Sequence, residues 1–538
     1  MYRTGFERPH LLLYSLALGV VLAVMCNSVG AQLTDITQTP NPINAGIAKS
    51  LEDQVGAGQG DALTPKSSIY LINRDPARAV RRGRQLFQRA FTKNQGLGPR
   101  VNDDSIGDIT VNRAFGAGLS NSCAACHGRP RGAAGFGGDV VTRPDSRDAP
   151  HLFGAGLVEM LADEITRDLR ETRQQALQWA QFLGGPITVP LESKGIHFGK
   201  FTALADGSAD TSRIEGVDAD LRVRPFFAQG GEFSLRGFIV GAFKDEMGLE
   251  AADPVLCAAT DPHNPVAVTS PGGMLFDPAV DVIIRPAVCD PATDGDSDGV
   301  VNEIDAAVVD YLEFYLFNYF KPGLGKQTNR TQQGERLLRQ IGCTDCHTPD
   351  LEIESDRRIA DVETRYEEQY GIFNRLFATA TTLFNVDHDG QALPKLVPQG
   401  KSFLVKNIYA DFKRHDLGPA YHEREYDGTY VQEFMTEPLW GVGSTPPYGH
   451  DGRSINLDEA IMRHGGEAED ARNAYAALND NNQRKLLEFL QSLIIFPPDD
   501  TASNLNPGVP GTNNPQDPSQ HGSINLGALF QDVSEGAE

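Results

Sequence analysis

Apolar residues recur at helical spacing in several stretches of the chain. "RQLFQRAF" at 84–91 reads as a short amphipathic helix, and "RTQQGERLLRQIG" from Arg330 repeats the design. "NDNNQRKLLEFLQSL" sets Leu486, Leu487, Phe489, Leu490 and Leu493 on one face. "AAVVDYLEFYLFNYF" from Ala306 reads as a helix that leaves the acidic stretch before it and leads toward the second half of the chain. After Phe496 the pattern dissolves into Pro, Asn and Gly, which predicts a loose tail over 497–538.

One apolar run has another meaning. "LLLYSLALGVVLAVM" follows Arg3 and Arg8 and precedes the small residues "SVGAQ". That order predicts a signal peptide over 1–31, cleaved after Ala31, and hence a periplasmic or otherwise exported protein. No later run reaches the length of a membrane span, so none is expected in the mature chain. The net charge of −24, from 48 Lys and Arg against 72 Asp and Glu, argues against nucleic acid and anionic membranes as partners.

Seven cysteines occur, and Cys26 leaves with the signal. Four lie in two Cys-x-x-Cys-His motifs: Cys123, Cys126 and His127, then Cys343, Cys346 and His347. Two thiols at this spacing reach both vinyl groups of one haem, and the adjacent histidine lies beneath the iron as axial ligand. Zinc would need two further ligands near each pair, and a thioredoxin-like pair has no use for the histidine. The motifs therefore predict two covalent c-type haems. Cys257 and Cys289 remain, and in an oxidising compartment they predict a disulfide.

The fold expected is mainly α: two tandem cytochrome c-like haem domains with irregular loops and few short strands. An N-terminal extension (32–75) leads into the first domain (76–325), and the second spans 326–496. A calcium-loop pattern, "DGDSDGVVNEID", is inserted in the first. Asp294, Asp296, Asp298, the Val300 carbonyl and Asp305 would hold the ion, with Asn302 acting through water. Position twelve is Asp rather than Glu, which shortens its reach.

With "SCAACHGRP", "RDAPHLFGAGLVEM", "YADFKRHDLGPAY" and "EPLWGVGSTPPYGHDGRSINLDEAIMRHGGEA" in view, the chain resembles the di-haem oxidoreductases related to bacterial di-haem cytochrome c peroxidases. The likeness runs from about residue 83 to 493. Laid on the peroxidase pattern, "FFAQGGEFSLRGFIVGAFKDEM" puts Glu246 at the acid that assists peroxide cleavage. It puts Phe238 where relatives have Gln, and Ala228 where they have an inter-haem Trp; Trp440 is a candidate replacement. The resemblance also implies that His464 stands at the far-ligand position of the second haem, which predicts His347/His464 ligation. His415 is the rival ligand, and His450 lies near the haem without binding iron. Between His127 and Arg147 no histidine occurs, so the first haem is expected open or water-bound; His151 follows just after. Glu159 is a second candidate acid, otherwise a helix-surface carboxylate.

The resulting expectation is a peroxidase-type oxidoreductase. Hydrogen peroxide or another small oxidant reacts at the first haem, and a small redox protein or organic donor feeds electrons through the second. The alternatives are a di-haem electron carrier, with His151 as sixth ligand, and a di-haem oxygenase.

Overall fold

The structure, a computed structural model, describes residues 50–92, 95–96, 120–128, 148–295, 297, 299–319, 321–366, 368, 376–424 and 428–495. The signal segment, Asp296, Asp298 and the tail lie outside the described residues. From Gln54 on, the described chain forms one compact unit.

Eight helices position the sites: α1 Pro76–Gln88, α2 Cys123–His127, α3 Ala155–Leu183, α4 Leu235–Ala242, α5 Ala306–Asn318, α6 Asn329–Gln340, α7 Leu457–Arg463 and α8 Asp480–Gln491. Helix α1 begins eight residues before the predicted 84–91 stretch. Asp75 caps it by accepting the Arg78 N–H, and Pro76 occupies a first-turn position where no N–H is needed. It crosses α5 at Gly83, where a Cβ would come within 2.1 Å of the Tyr311 carbonyl oxygen. Helix α6 meets α8 the same way at Gly334. Tyr409, Phe489, Leu490 and Leu338 close a core under the second motif, with Cys343 packed against it.

The expectation of a mainly α fold of two tandem cytochrome c-like domains does not hold. The structure is 37% helical with 17% strand, in many small sheets. A hairpin, β1 Ile187–Ser193 with β2 Ile196–Ala203, extends to β3 Ala209–Asp210. A four-stranded sheet joins β4 Lys321–Leu324, β5 Ala360–Tyr366, β6 Leu376–Thr382 and a final strand at Leu493–Ile494. Short antiparallel pairs fill the region between, among them Arg414–Asp416 with Glu433–Met435. The physical reason is composition. "ADVETRY" and "LFATATT" carry β-branched residues in alternation rather than at helical spacing.

Helix α4, which leads to Glu246, is anchored from beneath. The fully buried Arg236 guanidinium meets Asp253 (2.5 Å), Asp310 (2.9 Å) and Glu313 (2.8 Å). Removing the arginine would leave three acids facing one another without water.

Cys257 and Cys289 are joined by a disulfide (Sγ–Sγ 2.08 Å), whereas the four motif cysteines are free thiols. Peptide mapping without reductant should recover Cys257 and Cys289 in one linked fragment. Replacing both with Ser should lower unfolding free energy by about 2–4 kcal/mol. Finding both freely alkylated would contradict the bridge.

Candidate functional site

Each Cys-x-x-Cys-His motif forms a single tight turn. Ser122 caps the first by accepting the Ala125 N–H; Gly342, at φ 88°, opens the second. His127 Nδ1 lies 2.8 Å from the Pro150 carbonyl oxygen, and His347 Nδ1 lies 2.9 Å from that of Tyr409. A carbonyl only accepts, so Nδ1 carries the proton in both rings and Nε2 keeps its lone pair. That is the arrangement of a metal-ligating imidazole with its outer nitrogen tied down.

Burial pushes the Cys123 thiol up to about 12 and the Cys343 thiol to about 11. Thiols held protonated at neutral pH do not suit disulfide exchange. Among the described residues the one cluster of metal-type ligands is Cys346, Asp411 and His415, which takes in one thiol of the second motif; the first motif has no such cluster.

His464 repeats the design of the two motif histidines. It stands at the C-terminal end of α7, and its Nδ1 donates to the Ala460 carbonyl at 2.7 Å. Its charge is felt by His347. Burial lowers the pKa of His127, His347 and His464 alike, and yet each keeps accessible surface. Two pairs of free thiols, each followed by an imidazole tethered through Nδ1, fit two haems.

Both ring nitrogens of His415 are engaged by acids. Its Nδ1 lies 2.7 Å from Glu467 and its Nε2 2.8 Å from Asp411. Burial lowers its pKa, but Asp411 and the Cys346 thiol outweigh burial and raise it to about 11. An imidazolium with both nitrogens engaged has no lone pair to offer. His450 stacks on Phe434, ring centroids 3.9 Å apart, with Glu423 3.3 Å from its Nε2. Tyr421 stands beside both His450 and His464.

At the first motif the structure brings three named residues together. Phe238, packed on Phe226 and Phe227, lies with its ring centroid 6.4 Å from that of His127. Glu246 sits on a π turn, Phe243–Met247, that follows α4 directly. Its carbonyl accepts the Ser120 N–H at 3.1 Å, and its carboxylate adds to burial, the larger cause, in raising the pKa of Cys126. Glu159 is not a surface carboxylate. It is buried, accepts the Leu235 N–H at 2.6 Å, and is pushed up to about 7 by that burial. It anchors the start of α4.

His151 Nε2 donates to the Trp440 carbonyl at 3.0 Å, and burial lowers its pKa to about 4. It follows Pro150 in the chain, and its Nδ1 is enclosed without a hydrogen-bond partner among the described residues. Trp440 is buried against Gly154 (φ 76°), where a Cβ would come within 2.8 Å of the indole. Ala228 carries no bridging side chain; its carbonyl accepts the Met435 N–H.

In the calcium-type loop, Gly299 takes φ 90° and its N–H is bound by Asp294 Oδ2 at 2.8 Å. Asp305 caps α5, with Oδ1 accepting the Ala307 N–H. Asn302 Oδ1 is enclosed without a hydrogen-bond partner.

Sequence reasoning missed Glu437. Its side chain keeps accessible surface, but desolvation alone pushes its pKa up to about 7. It lies between Thr436, whose N–H binds the Lys413 carbonyl, and Leu439, whose N–H binds that of Ile408. The available signal was an acid set directly before an apolar "PLW".

Residues 398–493 match the family described as "Di-haem oxidoreductase, putative peroxidase", the family that the motifs resemble. No curated protein matches the chain. Among solved structures it is similar to Kuenenia stuttgartiensis hydrazine synthase pressurized with 20 bar xenon, at 14% identity. The match covers 35% of this chain and 55% of that one, with a TM-score of 0.21, a likeness too loose to carry an argument.

Glu437 should gain and lose its proton near neutrality. A carboxyl infrared band that titrates near pH 7 in the wild type should be missing in Glu437→Gln. Identical difference spectra from the two proteins would show that this side chain does not titrate there.

Proposed function

We propose that this chain, whose C-terminal block matches the di-haem oxidoreductase family, is an exported peroxidase-type oxidoreductase carrying two c-type haems. When bound, such groups supply one-electron chemistry and, where an axial face is left open, a place for a small oxidant. Cys123, Cys126 and His127 would hold one, and Cys343, Cys346 and His347 the other. The observation that carries the reading is the asymmetry of the two sites. His464 presents a tethered imidazole, with Nε2 available, beside His347. At the first site the ring recorded beside His127 is that of Phe238, while the rival His151 is tied through Nε2 to the Trp440 carbonyl.

The roles of the side chains follow. His347 and His464 together close the second site, which suits electron relay from a small redox protein or an organic donor. At the first site Phe226, Phe227 and Phe238 exclude water. The Glu246 carboxylate takes a proton from one oxygen of hydrogen peroxide and returns it to the departing oxygen. Calcium, bound through Asp294, Asp296, Asp298, the Val300 carbonyl and Asp305, would fix the start of α5. Asp305 then has one oxygen for the helix cap and the other for the ion. The signal peptide at 1–31 places the protein in the periplasm or otherwise outside the cytoplasm.

Low-temperature EPR of the oxidised protein tests the asymmetry. One high-spin and one low-spin ferric signal are expected; two low-spin signals would favour the carrier reading, in which no face is open. Glu246→Gln should preserve both spectra while slowing the reaction with hydrogen peroxide by about a hundred- to ten-thousand-fold. An unaltered rate in stopped flow would remove Glu246 from the mechanism.

A further inference from the structure

The two motif histidines are linked through the protein by an unbroken run of covalent and hydrogen bonds. His347 Nδ1 lies 2.9 Å from the Tyr409 carbonyl oxygen. The preceding residue, Ile408, accepts the Leu439 N–H at 3.0 Å. Leu439 is followed by Trp440, whose carbonyl accepts His151 Nε2 at 3.0 Å. His151 follows Pro150, whose carbonyl holds His127 Nδ1 at 2.8 Å. The run crosses between the two motif regions at a single side chain, His151.

The crossing is built with close tolerances. Gly441, at φ 87°, stands where a Cβ would meet His151 Nε2 at 2.9 Å and the Ile495 side chain at 2.1 Å. Gly154, at φ 76°, makes room for the Trp440 indole on the other side. Both positions combine a left-handed backbone with a close approach, so both favour glycine. Aromatic rings lead to the same point. Tyr315 and Tyr319 lie 4.6 Å apart, Tyr319 stacks on Phe153 at 5.3 Å, and Phe153 lies 6.1 Å from the His151 ring. Tyr315 in turn is close enough to Cys123 for the two to interact electrostatically.

We infer that His151 is the positioning residue that couples the two sites electronically, carrying electrons from the His347 site to the His127 site through its bond to the Trp440 carbonyl. The inference rests on the di-haem reading above. The step is a single-electron transfer. The group held by His347 is oxidised by one electron, the group held by His127 is reduced by one, and no atom or proton moves. Electronic coupling through bonds and hydrogen bonds exceeds coupling across a gap. The side chain that closes the gap therefore sets the rate without touching an oxidant.

The test uses the full haem-loaded protein. Haem content is measured first. A wild type with a single haem would remove the di-haem reading itself, and this inference with it. With two haems present, rapid mixing with half an equivalent of dithionite starts internal transfer. Redistribution of the electron is followed in the visible bands, and midpoint potentials and EPR signals are recorded alongside. His151→Leu should slow redistribution by about tenfold or more, the order expected when a positioned contact is lost, with EPR signals unchanged. His151→Gln, whose amide can still donate to the Trp440 carbonyl, should recover most of the rate. A wild-type rate in His151→Leu would overturn the inference. If the leucine variant fails to take up haem, His151→Asn replaces it, since that shorter amide cannot reach Trp440. Equal rates in the Asn and Gln variants would then overturn it as surely.

Discussion

A histidine that is to bind a metal through Nε2 must have its Nδ1 proton taken by something fixed, and a backbone carbonyl is the most rigid acceptor available. Much of this structure follows from supplying that carbonyl twice. Pro150 supplies it for His127 and Tyr409 for His347. Tyr409 is buried on Phe489 of α8, so the closing helix of the chain sets the ligand of the second site. Pro150 stands shortly before α3, the longest helix described, and is held in place through its neighbour His151. The two carbonyls are thus tied to one another through backbone and the one side chain of His151.

The floor of the first site obeys a different constraint. Phe238 and Glu246 ride on α4 and the turn behind it, and α4 is fixed at two points by charge. Glu159 receives its first free N–H, and Arg236 on its underside is enclosed by three acids. Three carboxylates around one guanidinium leave an uneven balance, and Ser68, Gln59 and Ser270 donate to the acids to offset it. A network of this kind is a weak source of stability but a strong one of position, since nearly every alternative arrangement strands a charge. It gives the aromatic floor a defined height relative to His127.

The chemistry-bearing parts were legible because their residue types have few other uses. The two motifs stand out against any background of ordinary residues, and α6 and α8 declare themselves by apolar spacing, whereas the roles expected of His464 and Glu246 come from the family resemblance alone. The strands did not, because β5, β6 and the short pairs around Arg414 are brief, and their alternation competes with charged and turn residues. Glu437 and the role of His151 were illegible for another reason. Their meaning lies in which carbonyl or cavity each meets, and those partners are far away along the chain. His415 likewise meets two acids, Asp411 and Glu467, that no local pattern announces.

The π turn at Phe243–Met247 has a consequence for anyone aligning this chain with others. A π turn holds one residue more than the α-helical turn it replaces. A comparison run without a gap through α4 therefore stays in register up to about Ala242 and slips by one place afterwards, wherever the relative lacks the extra residue. Asp245 and Glu246 are adjacent acids on that turn, one bound to Lys244 and the other directed to Cys126. A slip of one exchanges them. Counting along the sequence cannot tell Asp245 from Glu246, but the ion pair of the one with Lys244 and the electrostatic effect of the other on Cys126 can.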